Sequence, residues 1–251
     1  MRKLKLIVGS GHCGTKWLAG VLNAQPGVRF YHELRPTITQ TAWFRLAEYP
    51  PDAPVYHGYW GRIWRELDDG EVGDANSWVP WQIPAVSKLI KVEIVYLVRN
   101  GIQQLHSLST CSGVWRTHPL DSFAFDVWLR EMWRAIGEPD PPYDEWDRWE
   151  RLCLLVKANG RMPAWLQAQG LDVTTVRLED LVTDAEALHQ LAPHLDEQQL
   201  REWQERDVNR KVRGDRTPAT LWGQWTDMQR DAFRRICGDE MASLDYEIPG
   251  D

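Results

Sequence analysis

One stretch near the start of the chain limits what the rest can be. Leu4-Lys-Leu-Ile-Val8 is a short apolar run, Gly9-Ser-Gly-His-Cys-Gly14 is a glycine-rich turn, and Thr15-Lys-Trp-Leu18 opens a segment with helical spacing. An apolar run of that length reads as a strand buried on both faces, the kind found in parallel sheets. The glycines permit a tight reversal in which successive N–H groups converge, and a helix starting directly afterwards adds the positive end of its dipole. The stretch is therefore expected to cradle a phosphate or a similar anion.

The remaining segments supply the partners such a strand needs. Trp17, Leu18, Val21 and Leu22 recur at helical spacing up to Ala24, and Gln25-Pro-Gly27 stops the helix. Val28 to Leu34 reads as a second strand with the polar pair His32 and Glu33 at its end, and that end is expected to lie beside the cradle. Residues 37–82 read as pocket wall: a helix over Thr39 to Glu48, a Pro/Tyr/Trp-rich connection, and a polar turn at Gly73-Asp-Ala-Asn-Ser77, with His57, Asp74 and Asn76 among its polar residues. A short helix is expected over Ile83 to Leu89. Val92-Glu-Ile-Val-Tyr-Leu-Val98 is the strongest strand in the chain, β-branched and nearly all apolar, and so central. Arg99 and Asn100 lie directly beyond it, followed by a helix from about Ile102 that carries Ser107.

Further on, helices are expected over Pro119 to Ile136 and from Asp144, as N-cap, to Asn159. A strand over Leu171 to Leu178 is closed by Glu179-Asp180, and helices follow over Ala185 to Ala192 and Glu197 to Arg206. The basic segment Asn209-Arg-Lys-Val-Arg-Gly-Asp-Arg216 precedes a last helix from about Asp227. Strands alternating with helices imply an α/β fold with a mainly parallel sheet, here expected as a single domain over residues 1–251.

Composition narrows the ligand. Lys+Arg number 29 against Asp+Glu 36, a net charge of −7, which argues against a general nucleic-acid surface and makes any anion site local. Cys13, Cys111, Cys153 and Cys237 are far apart, with no C-x-x-C pair and no cluster at metal-ligand spacing, so a reduced protein without a metal is expected. No apolar run approaches the ~20 residues of a membrane span, and the expectation is a cytoplasmic protein without a membrane partner.

The glycine turn has more than one spelling. Gly9-Ser-Gly11-His-Cys-Gly14 satisfies G-x-G-x-x-G, and Glu33 lies 19 residues past Gly14, which on paper is a dinucleotide fingerprint for NAD(P) or FAD. It also contains G-x-x-x-x-G, but Thr15-Lys16 follows where a nucleotide-triphosphate loop has Lys-[Ser/Thr], an order that disfavours a magnesium-nucleotide enzyme.

Other segments favour a third reading, because the sequence resembles the sulfotransferases that use 3′-phosphoadenosine 5′-phosphosulfate. Gly9-Ser-Gly-His-Cys-Gly-Thr-Lys-Trp17 approximates the family's phosphosulfate loop. Tyr96-Leu-Val-Arg-Asn100 with Ser107 eight residues after Arg99 matches its strand-end arginine and serine, which in the family hold the 3′-phosphate. Val176-Arg-Leu-Glu-Asp-Leu181 is a third, weaker match, followed as in the family by a basic segment. The resemblance implies a three-layer, P-loop-like fold and transfer of a sulfuryl group to a hydroxyl or amine of a small acceptor.

It also implies roles. Ser10, Gly11, His12, Cys13, Gly14, Thr15, Lys16 and Trp17 would form the loop around the 5′ end of the co-substrate, and Arg99 with Ser107 would bind the 3′-phosphate. Arg210, Lys211, Arg213 and Arg216 would form a basic flap over it. Glu33 is the first candidate for the base that takes the acceptor proton, with His32 beside it on the alternate face. The family usually has lysine or arginine at His12, serine at Cys13, and threonine or serine at Lys16. Lys16 or a protonated His12 would then supply the missing cation; without one, the chain would be a non-catalytic nucleotide binder. A bisphosphate ligand needs two separate anion sites, which two strand-end motifs supply, whereas a dinucleotide oxidoreductase has no need of the Arg99–Ser107 pair.

Overall fold

Alternation along the strands decides the layering. The structure, a computed structural model, describes residues 4–9, 11–32, 71–76, 83–88, 91–110, 129–130, 133–134, 136–137, 145–206 and 216–250. Strand β1 (Leu4–Val8) turns Leu4, Leu6 and Val8 to one face and Ile7 to the other; strand β4 (Val92–Val98) does the same with Ile94, Tyr96 and Val98 against Val95 and Leu97. Both faces are thus apolar and both need a cover of helices.

One face packs against α1 (Thr15–Asn23), α5 (Leu178–Thr183), α6 (Ala185–Leu191) and α7 (Glu197–Arg206). The other packs against α2 (Ile83–Ser87), α3 (Gly101–Thr110), α4 (Arg148–Ala168), α8 (Pro218–Gly223) and α9 (Asp227–Ser243). With β2 (Val28–His32), β3 (Glu71–Asn76) and β5 (Val173–Arg177), the described residues form a sheet of five strands in the order β2-β3-β1-β4-β5, and every pairing among them is parallel. This is the expected three-layer α/β arrangement.

Two expectations need correction. Gly73 to Asn76, expected as a polar turn in the pocket wall, belongs to β3, which runs between β1 and β2. Glycine, aspartate and asparagine are poor strand formers, so local propensity pointed the wrong way. Tertiary context overrides it: β3 is hydrogen-bonded on both sides, with Leu6 opposite Asp74 and Phe30 opposite Gly73, and Asp74 is fully buried. Gly73 is demanded by packing, since a Cβ there would stand 2.1 Å from Cε2 of Phe30 and 2.7 Å from the Lys5 carbonyl oxygen.

The second correction concerns α4. Its N-cap is Asp147, not Asp144: the Asp147 side chain accepts from the Glu150 N–H, and Glu150 reaches back to the Asp147 N–H in a capping box. The helix runs through Asn159, expected as its end, to Ala168. Gly160 lets α9 approach, because a Cβ there would meet the Glu240 side chain at 3.1 Å. The helix expected over Thr39 to Glu48 lies outside the described residues, as does most of that over Pro119 to Ile136.

Gly73→Ala should lower the unfolding free energy by about 1–3 kcal/mol, the range for overpacking a filled core, as read from the urea midpoint at constant slope. A variant of unchanged stability would show that β3 is not wedged between β1 and β2.

Candidate functional site

The strand order creates one topological switch point. From β1 the chain goes to β2 and β3 on one side of it, then crosses to β4 on the other. In open parallel sheets, ligands bind outside the carboxyl ends of the strands at such a reversal. The segments that meet there are the glycine turn after β1 and Arg99 with α3 after β4.

The turn lies flat against β4 because Gly9 allows it; a Cβ at Gly9 would stand 2.6 Å from the Leu97 carbonyl oxygen. His12 (φ 69°) and Gly14 (φ 92°) are both left-handed, and Gly14 is the N-cap of α1, with no side chain capping the helix. The first bond of the α1 ladder runs from the Leu18 N–H to the Gly14 carbonyl. The amides ahead of Leu18 therefore have no place in that ladder and form the positive end of the helix.

Residues beyond β4 hold the turn in shape. Arg99 Nη1 donates to the His12 carbonyl at 3.0 Å, and Gln104 Nε2 donates to the Gly11 carbonyl at 3.0 Å. His12 Nδ1 and Ser107 Oγ are hydrogen-bonded at 2.9 Å, so two of the expected anion-binding residues meet across the crevice. From below, Asn159 Nδ2 donates to Cys13 Sγ at 3.5 Å, and the Tyr96 hydroxyl donates to Asn159 Oδ1 at 2.8 Å. Burial, with the nearby Cys13 second, pushes the Tyr96 phenol well up. Cys13 is fully buried, so what it can offer a ligand is backbone and not thiol. Trp17 likewise turns away: its indole donates to the Trp203 carbonyl at 3.3 Å and packs in the α1–α7 layer.

Charge accumulates at the start of α3. Burial lowers the Arg99 guanidinium from its ordinary value, Glu179 opposes that shift, and Arg216 reinforces it by repulsion. Arg99 Nε is buried with no hydrogen-bond partner among the described residues. His106 is also held below its ordinary value, first by burial and then by Arg216 and Arg99. The charge of Arg216 opposes the protonation of both Arg99 and His106, which marks a place where an anion is favourable.

The same end of the molecule is braced by Glu179. Its Oε1 accepts from the Asn100 N–H at 2.9 Å and its Oε2 from the Tyr246 hydroxyl at 2.7 Å, while Asn100 Oδ1 accepts from the Ile102 N–H at 3.1 Å. The Arg177 guanidinium lies over the Tyr246 ring, 4.5 Å from its centroid.

At the other rim, His32 Nε2 and Thr15 Oγ1 are 3.4 Å apart, so the end of β2 does reach the cradle although β3 separates β2 from β1. Much of His32 is open to solvent, yet desolvation of its ring and the nearby ammonium of exposed Lys16 hold it below its ordinary value. Ser10, Glu33, Arg210, Lys211 and Arg213 lie outside the described residues. Sequence reasoning missed Gln103, Gln104, His106, Asn159 and Tyr246. The helical spacing of Arg99, Gln103 and Ser107, four residues apart each, was a readable signal for Gln103; nothing local marks Asn159 or Tyr246.

The dinucleotide spelling of the turn does not carry its fold with it. In the dinucleotide-binding fold β2 stands next to β1, and here β3 intervenes. The sequence matches no protein-family model and no curated protein. Among solved structures, the sulfotransferase domain from the curacin biosynthetic pathway is similar with a TM-score of 0.53 and 13% identity, over 99% of each chain. The sulfotransferase domain from the Synechococcus PCC 7002 olefin synthase is similar with a TM-score of 0.54 and 16% identity, over 98% of this chain and 96% of that one. At such identities the likeness speaks for architecture alone, and the architecture of this chain is a sulfotransferase fold.

Proposed function

We propose that the protein transfers a sulfuryl group from 3′-phosphoadenosine 5′-phosphosulfate to a hydroxyl or amine of a small-molecule acceptor. The observation that carries this reading is the pairing of two anion-ready positions on neighbouring strands. One is the uncapped start of α1 in its glycine turn; the other is the mutually repelling Arg99, His106 and Arg216 with Ser107 on the adjoining helix. A nucleoside with phosphates at both ends fits that spacing of charge, and a singly charged or uncharged ligand leaves one position unused. The buried Nε of Arg99, without an acceptor among the described residues, fits a phosphate oxygen there.

The co-substrate supplies an activated sulfuryl group; the protein supplies position and charge. The α1 amides and Lys16 stabilise negative charge collecting on the departing 5′-phosphate oxygen, an effect worth about 2.7–4 kcal/mol per well-placed donor in comparable sites. Lys16 takes this role in preference to His12, because the His12 imidazole is tied to Ser107 on the 3′ side. Held neutral near pH 7, His32 accepts the acceptor's proton at the rim, with Glu33 next to it in the chain as the rival base.

Calorimetry tests binding. Adenosine 3′,5′-bisphosphate should bind far more tightly than adenosine 5′-phosphate or NAD, and Arg99→Ala should weaken it by about a hundredfold, as expected for a buried charge-assisted contact. Tight NAD binding would sink the reading in favour of an oxidoreductase. Transfer of radiolabelled sulfate to a metabolite extract then separates an enzyme from a non-catalytic binder. In that assay Lys16→Met should lower kcat by about a hundredfold or more and leave bisphosphate affinity within a few-fold.

The pH profile follows from the sign of the His32 shift. Its folded-state value lies below 6.5, so the base form is present above that range and the rate should fall as pH drops beneath it. His32→Gln should abolish that acidic limb. If the limb survives in His32→Gln and disappears in Glu33→Gln, the base is Glu33.

A further inference from the structure

Gln103 sits on α3 between Arg99 and Ser107, and its side chain does something neither neighbour does. Its Nε2 donates at 3.1 Å to the backbone carbonyl of Arg216, the last residue of the basic segment and the one immediately before the Thr217 cap of α8. Gln103 is only 4% exposed, and its Oε1 is buried with no hydrogen-bond partner among the described residues, so the Arg216 carbonyl is what orients the amide. The Gln103 N–H is itself anchored to Asn100 Oδ1 at 3.4 Å. The strut therefore runs from the capped first turn of α3 to the backbone of Arg216.

Something must hold Arg216 there. Its charge opposes the protonation of both Arg99 and His106, so electrostatics alone would drive the three groups apart when no anion is bound. Arg216 is exposed, and no ion pair holds its side chain among the described residues. A neutral amide gripping the backbone adds position without neutralising charge, which a carboxylate in the same place would do.

We infer that Gln103 is a positioning residue that clamps Arg216 into the cationic cluster and thereby gives the site its preference for a ligand carrying a second phosphate. The inference rests on the proposed bisphosphate reading for what the second site binds. It concerns the residue that sets selectivity rather than those that touch the ligand. A purely structural glutamine would alter affinity for every adenosine nucleotide together; a clamp on Arg216 alters the ratio between two of them.

Gln103→Met keeps the volume and removes the donor. By calorimetry on the full chain it should weaken adenosine 3′,5′-bisphosphate about tenfold and leave adenosine 5′-phosphate within about twofold, the size expected for losing one well-oriented charged contact. Arg216→Ala, at an exposed position, should reproduce that change in ratio, and the double variant should add little to either single one. Hydrogen exchange on the unliganded protein gives a second readout: amides at 216–221 should exchange faster in Gln103→Met while those of β1 and β4 do not change. Additive effects, or an unchanged nucleotide ratio in a wild type that does prefer the bisphosphate, would overturn the clamp alone. A wild type with no preference for the bisphosphate would overturn the functional reading, and the selectivity role of Gln103 with it.

Discussion

The hydrogen bond from Arg99 to the His12 carbonyl joins the two halves of the site, and most of the remaining geometry depends on it. Arg99 follows β4 and His12 follows β1, which are neighbours in register with Val8 opposite Tyr96. The guanidinium holds the turn from one side while its Nε stays buried with no partner among the described residues, so the two anion positions of the proposed site would form a single unit. A bond from a charged donor contributes about 1.5–3 kcal/mol, enough to fix a glycine-rich turn that has few constraints of its own. Glu179 completes the arrangement by countering the desolvation of Arg99 while its own oxygens are engaged by the Asn100 N–H and the Tyr246 hydroxyl.

The helix after β4 is the platform that ties the glycine turn and the Arg216 backbone to the sheet. Its successive residues reach in different directions: Gln104 to the turn, Ser107 to His12, Gln103 to Arg216. The platform itself is rigid because α3 packs closely on α4 and α9. A Cβ on Gly101 would stand 2.8 Å from Val156 and 2.9 Å from the Met241 sulfur, leaving no room for α3 to shift toward them. A fixed floor carrying side chains already held by hydrogen bonds is the preorganised arrangement a charge-binding site needs.

What could be read from residues alone divides along physical lines. The strands that are apolar on both faces, β1 and β4, and the capped or periodic helices stood out because burial on two sides leaves an unbroken apolar run. The places of Arg99 and Ser107 followed from a strand end and the helix after it, but their pairing was legible only through the resemblance to the sulfotransferase motif. β3 was not legible, since Glu71-Val-Gly-Asp-Ala-Asn76 has the composition of a loop and becomes a strand through the partners it lies between. Asn159 was hidden for the opposite reason. It resembles a helix stop, but in place it bonds Tyr96 and Cys13 beneath the turn, and a contact spanning 146 residues has no local signature.

Position 12 is where sequence and structure together say most. In the sulfotransferases that the sequence resembles this residue is usually a cation, whereas here a histidine in left-handed conformation turns its Nδ1 to Ser107. The consequence is a transfer of charge along the loop: the free ammonium stands one helical step into α1, at exposed Lys16, on the side that faces His32. His32 is held below its ordinary value first by desolvation and then by this ammonium; under the proposed transfer, the cation that would stabilise the leaving oxygen is the same one that disfavours a proton on the ring. Under the proposed transfer one cation would serve twice, favouring the leaving group and leaving the neighbouring base unprotonated, with Lys16 in place of the basic residue usual at position 12 in the family the sequence resembles.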